Sequence, residues 1–225
     1  MPTASLSRKL ALEIVKLALT GAIAACDVPA IMDSADVQWH SIKCDTWKCA
    51  EVNPSVSFRI AHTGDHILLQ FHVSDNNLRA EVGEDNGHVW EDSCCEFFVS
   101  PDCDDNYYNF ECNCIGTLLL HGGWKGTDRR NAPEEAYNSI GRWSSLGDET
   151  FGDRIGAVEW DLVEVIPATA LFNHEIKDFT GLKMKANFYK CGDKTATPHF
   201  LSWAPIDLPS PAFHCPEFFR EVVFK

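Results

Sequence analysis

The segment Tyr107 to Ile115 carries the most informative spacing in the chain. With a two-residue period, Tyr108, Phe110, Cys112 and Cys114 share an apolar face, and Asn109, Glu111 and Asn113 share a polar one. Two amides and a carboxylate in a row make a short ladder of fixed donors and acceptors, suited to a ligand rich in hydroxyls. A plain solvated strand face is the alternative that this strand leaves open. Upstream, Trp90 stands at a loop-to-strand junction, followed by Glu91, Asp92 and Glu96. Its indole is either an exposed stacking platform or a core anchor. Asn187 to Lys190 and Pro198 to Trp203 form a second polar-aromatic cluster, in which Asn187 takes the face opposite Phe188. His199 and His214 read either as hydroxyl partners or as structural hydrogen-bonders, and Arg142 either reaches the site or sits in a surface ion pair.

Other chemistries leave weaker marks. Glu96 and Glu111 on neighbouring strands are the one candidate pair of acids for glycoside hydrolysis. On a shared open sheet face, solvent is expected to keep both ionised, whereas such catalysis needs one protonated. Nucleophile elbows, phosphate loops and H-E-x-x-H are absent. Asp102, Asp104 and Asp105 offer hard oxygen ligands for a structural calcium ion, against the plainer reading of an acidic turn, and no cofactor is required. A haem-binding sandwich would draw axial ligands from Met and His, and Met32 and Met184 are its candidates. The ten cysteines lack paired C-x-x-C units, so their spacing does not support a zinc site. Several fall where alternation buries them and read as reduced core thiols.

These residues need short strands to carry them. Ser55 to Ala61 and Ile67 to Ser74 alternate around Thr63-Gly64-Asp65, the clearest hairpin in the sequence. Cys94 to Ser100 reads as a strand stopped by Pro101, and Tyr107 to Leu120 as one long strand with a bulge at Gly116. Gly122 to Phe151 reads as a long excursion with one helical turn near Pro133. Ala157 to Ile166, Lys183 to Lys190 and Phe218 to Phe224 complete the strands, with a brief helix or corner over Pro167 to Phe172. Helices long enough to connect parallel strands are missing. The expectation is an all-β antiparallel β-sandwich with short helical turns, residues 1–225 forming one domain.

The first 53 residues of that domain read as an irregular strand and loop. Ala11 to Leu19 is a first strand, or else Arg8, Lys9 and Lys16 with the run Leu17 to Ala25 form a signal within residues 1–26. In the second case Cys26 marks a periplasmic or lipoprotein form; the reduced thiols point instead to the cytoplasm. The chain holds 33 acidic against 19 basic residues, a net charge of −14, which argues against nucleic acid and anionic membranes as partners. No apolar run has the length of a membrane span.

The string Val89 to Phe98, followed by Tyr107 to Gly116, resembles the family 9 carbohydrate-binding modules, closest to the bacterial family 9-like branch. Asn187 to Asp193, Pro198 to Trp203 and Phe213 to Phe219 resemble the same branch, so the likeness runs from about Pro54 to the C-terminus. It implies a non-catalytic β-sandwich that grips the terminal unit of a glycan between two Trp rings, and a separate glycoside hydrolase as a working partner in polysaccharide catabolism. Trp90 falls at the first ring, Trp203 at the second, Glu96 at an acid and Asn113 at an amide that contacts sugar. From the second cluster itself, Asn187 is expected to add an amide to the same site and His199, close to Trp203, a hydroxyl partner. At Glu111 the founding sugar-binding members carry an arginine, and that departure alters the hydrogen-bond pattern.

Overall fold

The computed structural model describes residues 11–19, 21–126 and 129–225. In chain order its strands are β1 (Leu12–Lys16), β2 (His40–Ile42), β3 (Ser55–His62), β4 (His66–Ala80), β5 (Cys94–Ser100), β6 (Asn106–Asn113), β7 (Leu118–Trp124), β8 (Arg130–Asn131), β9 (Gly141–Ser144), β10 (Phe151–Pro167), β11 (Lys183–Cys191), β12 (Phe200–Ser202) and β13 (Arg220–Phe224). Two short helices accompany them, α1 (Val28–Ser34) and α2 (Glu134–Ser139).

Strands pair in the order β8-β7-β6-β5-β11-β13-β1-β3-β4-β10-β9, with β12 beside β11 and β2 beside β3. The path folds at β1. Its first half, Leu12 to Ile14, runs parallel to β13, and its second half, Val15 and Lys16, runs parallel to β3. Every other pairing between the described strands is antiparallel. One strand thus joins the two layers of a sandwich, and the expected antiparallel architecture holds everywhere except at that joint.

Alternation sets which side chains meet between the layers. Phe58, Leu69 and Phe71 from β3 and β4 share one buried core with Phe97, Phe110 and Phe188 from β5, β6 and β11. The contact is tightest where Phe58 stacks on Phe188, with centroids 3.7 Å apart and planes 17° from parallel. Each fully buried ring of this size contributes about 1.5–3 kcal/mol. No disulfide assists, since none of the ten cysteines forms one, and six of them are buried.

The structure departs from these expectations in several places. The single strand Tyr107 to Leu120 is two, β6 and β7, reversed by a turn in which Gly116 adopts φ 89°. The Asn113 side-chain oxygen accepts from Ile115 N and Thr117 N, capturing amides that a continuing strand would offer to a neighbour. Strands β4 and β10 outrun their apolar alternation, because their mutual pairing continues through polar residues such as Asp75 and Asn77, past two register irregularities. Helix α1, only seven residues long, lies on the outer face of the second layer, where Val28 and Met32 pack on Ala61, Leu68, Val163 and Val165. Leu17, Leu19, Ile23 and Ala25 pack against that same cluster, and Cys26 is exposed. Arg8 and Lys9 of the signal alternative lie outside the described residues.

One core position is costly. Glu164 lies on β10 between the inward residues Leu162 and Ile166, fully buried, and neither carboxylate oxygen has a hydrogen-bonding partner in the protein. Burial pushes its pKa up to about 8, against the pull of Arg142. Its folded-state pKa lies above the unfolded one, so the protein is most stable where Glu164 is protonated in both states. Stability is lost as pH rises through the window from the unfolded carboxylate value towards 8. Glu164→Gln should therefore gain on the parent across that window, by on the order of a few kcal/mol, and level off above it. Urea unfolding at pH 5 and pH 9 measures this; an equal difference at both pH values would contradict it.

Candidate functional site

The strand period that sends Phe97, Phe110 and Phe188 inward sends their neighbours outward, onto the far face of the first layer. Register sets Glu96 directly opposite Glu111 on one side and opposite Tyr189 on the other. These acids, with Asn109, Leu119, His121 and Cys191, floor a cavity of about 350 Å³. Its walls come from Trp90 in a 3-10 turn, Asp193 in the turn after β11, Phe200 at the start of β12, and the loop segment Pro211 to His214.

The walls are braced through backbone and rings. Trp90 sits in the 3-10 turn Val89–Glu91, tied to the turn after β11 by Asp193 N donating to Trp90 O (3.1 Å) and Lys194 N donating to Glu91 O (3.0 Å). The Lys194 ammonium also meets Glu91 Oε2 at 2.8 Å, and the His88 ring stacks on Trp90 at 4.5 Å. Phe213 stacks on Tyr189, with centroids 4.2 Å apart and planes 10° from parallel, and meets the edge of Phe200 at 6.3 Å.

The floor is electrically unusual. Glu96 and Glu111 are only 2% and 4% exposed. Burial raises both carboxyls, Glu111 up to about 7 and Glu96 well above its usual range, the latter helped by nearby Cys191 and Glu111. The expectation that solvent would keep both ionised is overturned, because loops cover a face that alternation alone would leave open. Asn109 Nδ2 donates to Glu111 Oε1 at 2.8 Å, and Cys191 Sγ donates to Glu96 Oε1 at 3.0 Å. Arg129 reaches the same network by donating to Asn109 Oδ1, with its guanidinium 3.7 Å above the Tyr107 ring. Asp193 at the rim is raised too, by burial and by Glu91.

Of the residues singled out from sequence, the structure brings Trp90, Glu96 and Glu111 together and sets four others apart. Asn113 Nδ2 donates to Val82 O and Asp92 Oδ2, while its oxygen holds the β6–β7 turn. Asn187 donates to Ala204 O and accepts from Phe188 N and Ala204 N. His199, 1% exposed, meets Lys190 Nζ at 2.8 Å and Thr197 O at 2.8 Å. Burial and Lys190 push its pKa down to about 3, so it is the neutral acceptor of the lysine's proton. Trp203 packs edge-on against Phe58 and Phe188 at the margin of the core, with Arg220 4.3 Å above its ring.

Sequence reasoning passed over Phe200, Phe213, His121, Asp193 and Cys191 as site residues. Phe200 and Phe213 sat inside strings already noted, and Asn109 inside the polar ladder, but no local spacing marks which loop residues close over a strand. His214 does line the cavity, its Nδ1 2.8 Å from the Tyr107 hydroxyl. Arg142 lies elsewhere, in a two-pronged pair with Asp85 at 2.7 and 2.9 Å. The three aspartates of the acidic turn do not gather: Asp104 accepts from Asn106 N within its own loop and Asp102 faces His174, and they form no ligand cluster among the described residues. Met32 and Met184 belong to separate packed clusters.

The profile of carbohydrate-binding family 9 matches residues 26–224. Among solved structures, a putative carbohydrate-binding protein from Bacteroides uniformis is 48% identical, with a TM-score of 0.93 over 96% of this chain and 99% of its own. A family 9 module from Caldicellulosiruptor kristjanssonii in complex with glucose is 12% identical, with a TM-score of 0.62 over 95% of each chain. A family 9 module from the same organism in complex with cellotriose gives 11% identity and a TM-score of 0.61, over 96% of this chain and 94% of its own. No curated protein matches the chain.

The bonding of Asn113 makes it a structural residue. Asn113→Ala should destabilise the protein by about 2–4 kcal/mol, since buried partners on both sides of the turn lose their bonds. Chemical denaturation measures this, and a loss under about 0.5 kcal/mol would show that the turn does not depend on the side chain.

Proposed function

Since the chain belongs to carbohydrate-binding family 9, we propose that it holds the terminal unit of a glycan in the pocket above Glu96 and Glu111 without cleaving it. The observation that carries this reading is the pairing, in one cavity, of aromatic walls with a floor of carboxyl and amide groups. Apolar sugar faces stack on flat rings, and hydroxyls require fixed polar partners. The sugars bound in the Caldicellulosiruptor structures support the same class of ligand.

In this reading Trp90 is one stacking ring, and Phe200 with Phe213 forms the other wall in place of Trp203. Glu96, Asn109 and Glu111 meet the hydroxyls. A carboxyl protonated near neutral pH both donates and accepts, so Glu111 offers a hydroxyl two kinds of bond where an ionised group only accepts. Arg129, hydrogen-bonded to Asn109, supplies a positive charge that acts on Glu111. A separate hydrolase as partner, and a role in polysaccharide catabolism, rest on the family alone.

The raised acids give a hydrolase reading its one supporting observation. Their arrangement favours binding: Glu96 and Glu111 are direct cross-strand neighbours pointing the same way. A glycosidic bond would lie over both, not between them as acid and nucleophile or acid and base require.

Titration calorimetry of the purified protein with glucose and cellotriose, followed by a glycan array, tests the proposal. Trp90→Ala should weaken binding by about tenfold or more. Trp203→Ala should leave affinity within about threefold while lowering the unfolding midpoint, as loss of a packed ring does. Binding to no glycan would overturn the reading, and sugar release that vanishes in Glu96→Gln would replace it with hydrolysis.

A further inference from the structure

Three potential ligand groups lie together at the floor of the pocket. Cys94 and Cys191 are directly opposed across the β5–β11 pair, and Glu96 stands two residues along β5 on the same face as Cys94. Cys94 Sγ, Cys191 Sγ and a Glu96 carboxylate oxygen all lie within 4.8 Å of one another. No other cluster of this kind occurs among the described residues. All three side chains are buried, at 0%, 1% and 2% exposure, and Glu96 and Cys191 reach the cavity wall.

The geometry points to a binding site for a zinc-class divalent cation held by Cys94, Cys191 and Glu96, its fourth position open to the pocket. A tetrahedral zinc ion with bonds of about 2.0–2.3 Å sets its ligand atoms roughly 3.4–3.8 Å apart. That spacing falls between the 3.0 Å of Cys191 Sγ to Glu96 Oε1 and the 4.8 Å limit of the cluster. Small rotations therefore suffice. Two thiolates select a borderline-soft cation over calcium or magnesium, which take oxygen ligands. Both thiols and the carboxyl would release their protons to solvent as the ion enters. Three protein ligands and one open position is the pattern of zinc sites that accept a further ligand, here water or a hydroxyl of whatever occupies the pocket. Asp193 on the cavity rim adds negative charge along the entry path.

The site stands on side-chain geometry and does not depend on a sugar entering the pocket. Titrating the reduced, full-length protein with Co2+ tests it without any glycan. One tetrahedral cobalt per chain is expected, with a thiolate charge-transfer band that Zn2+ abolishes. Cys94→Ser/Cys191→Ser should remove the band, and Glu96→Gln, which removes a direct ligand, should weaken affinity by at least the roughly tenfold that loss of an outer-shell partner costs. Cys26→Ser/Cys49→Ser, at exposed positions, should change neither. If the double serine variant fails to fold, Glu96→Gln and Cys191→Ser read the same site. Absence of the band, or its survival in the pocket variants, overturns the proposal and leaves glycan binding untouched. A normal cobalt spectrum in a protein that binds no glycan would overturn only the other reading.

Discussion

The register that sets Glu96 against Glu111 across β5 and β6 governs the rest of the molecule. The same pairing sets Phe97 against Phe110 on the opposite face. A slip of one residue would carry the acids into the sandwich and the rings onto the pocket floor, so core and site are fixed by one choice. The stack of Phe58 on Phe188 ties that choice to the second layer.

Holding two carboxyls side by side under a cover of loops is unfavourable by itself. Burial raises both carboxyls and so favours their neutral forms, and hydrogen bonds offset part of the cost: Asn109 donates to Glu111, and Cys191 to Glu96. Glu164, in the core of the other layer, has no such partner. The contrast separates an arrangement that a ligand can use from one that only lowers stability as pH rises.

Much of the architecture was legible in the chain. The hairpin of β3 and β4, the strand β5, and the inward and outward faces of β6 and β11 follow from alternation. Legibility failed where side chains did not repeat. The β6–β7 reversal depends on one asparagine oxygen capturing two amides, a bond no period announces. Helix α1 is too short to show a helical stripe. Asn187 and His199 carry polar groups suited to a ligand, yet the backbone at Ala204 and the amine of Lys190 have already claimed them.

The sequence by itself determined the sandwich, the polar face bearing Glu96 and Glu111, and the place of Trp90 at its edge. These are local properties, written in a two-residue period and in where turns fall. Only the tertiary structure decided that Phe200 and Phe213 close the pocket, that Trp203 belongs to the core margin, and that the acids are shielded from water. It alone placed Cys191 against Glu96, 95 residues apart, where the cysteine spacing along the chain had given no support for a zinc site. Burial and ligand geometry depend on which distant segments cover a strand, and that is settled by packing, not by the order of neighbours in the chain.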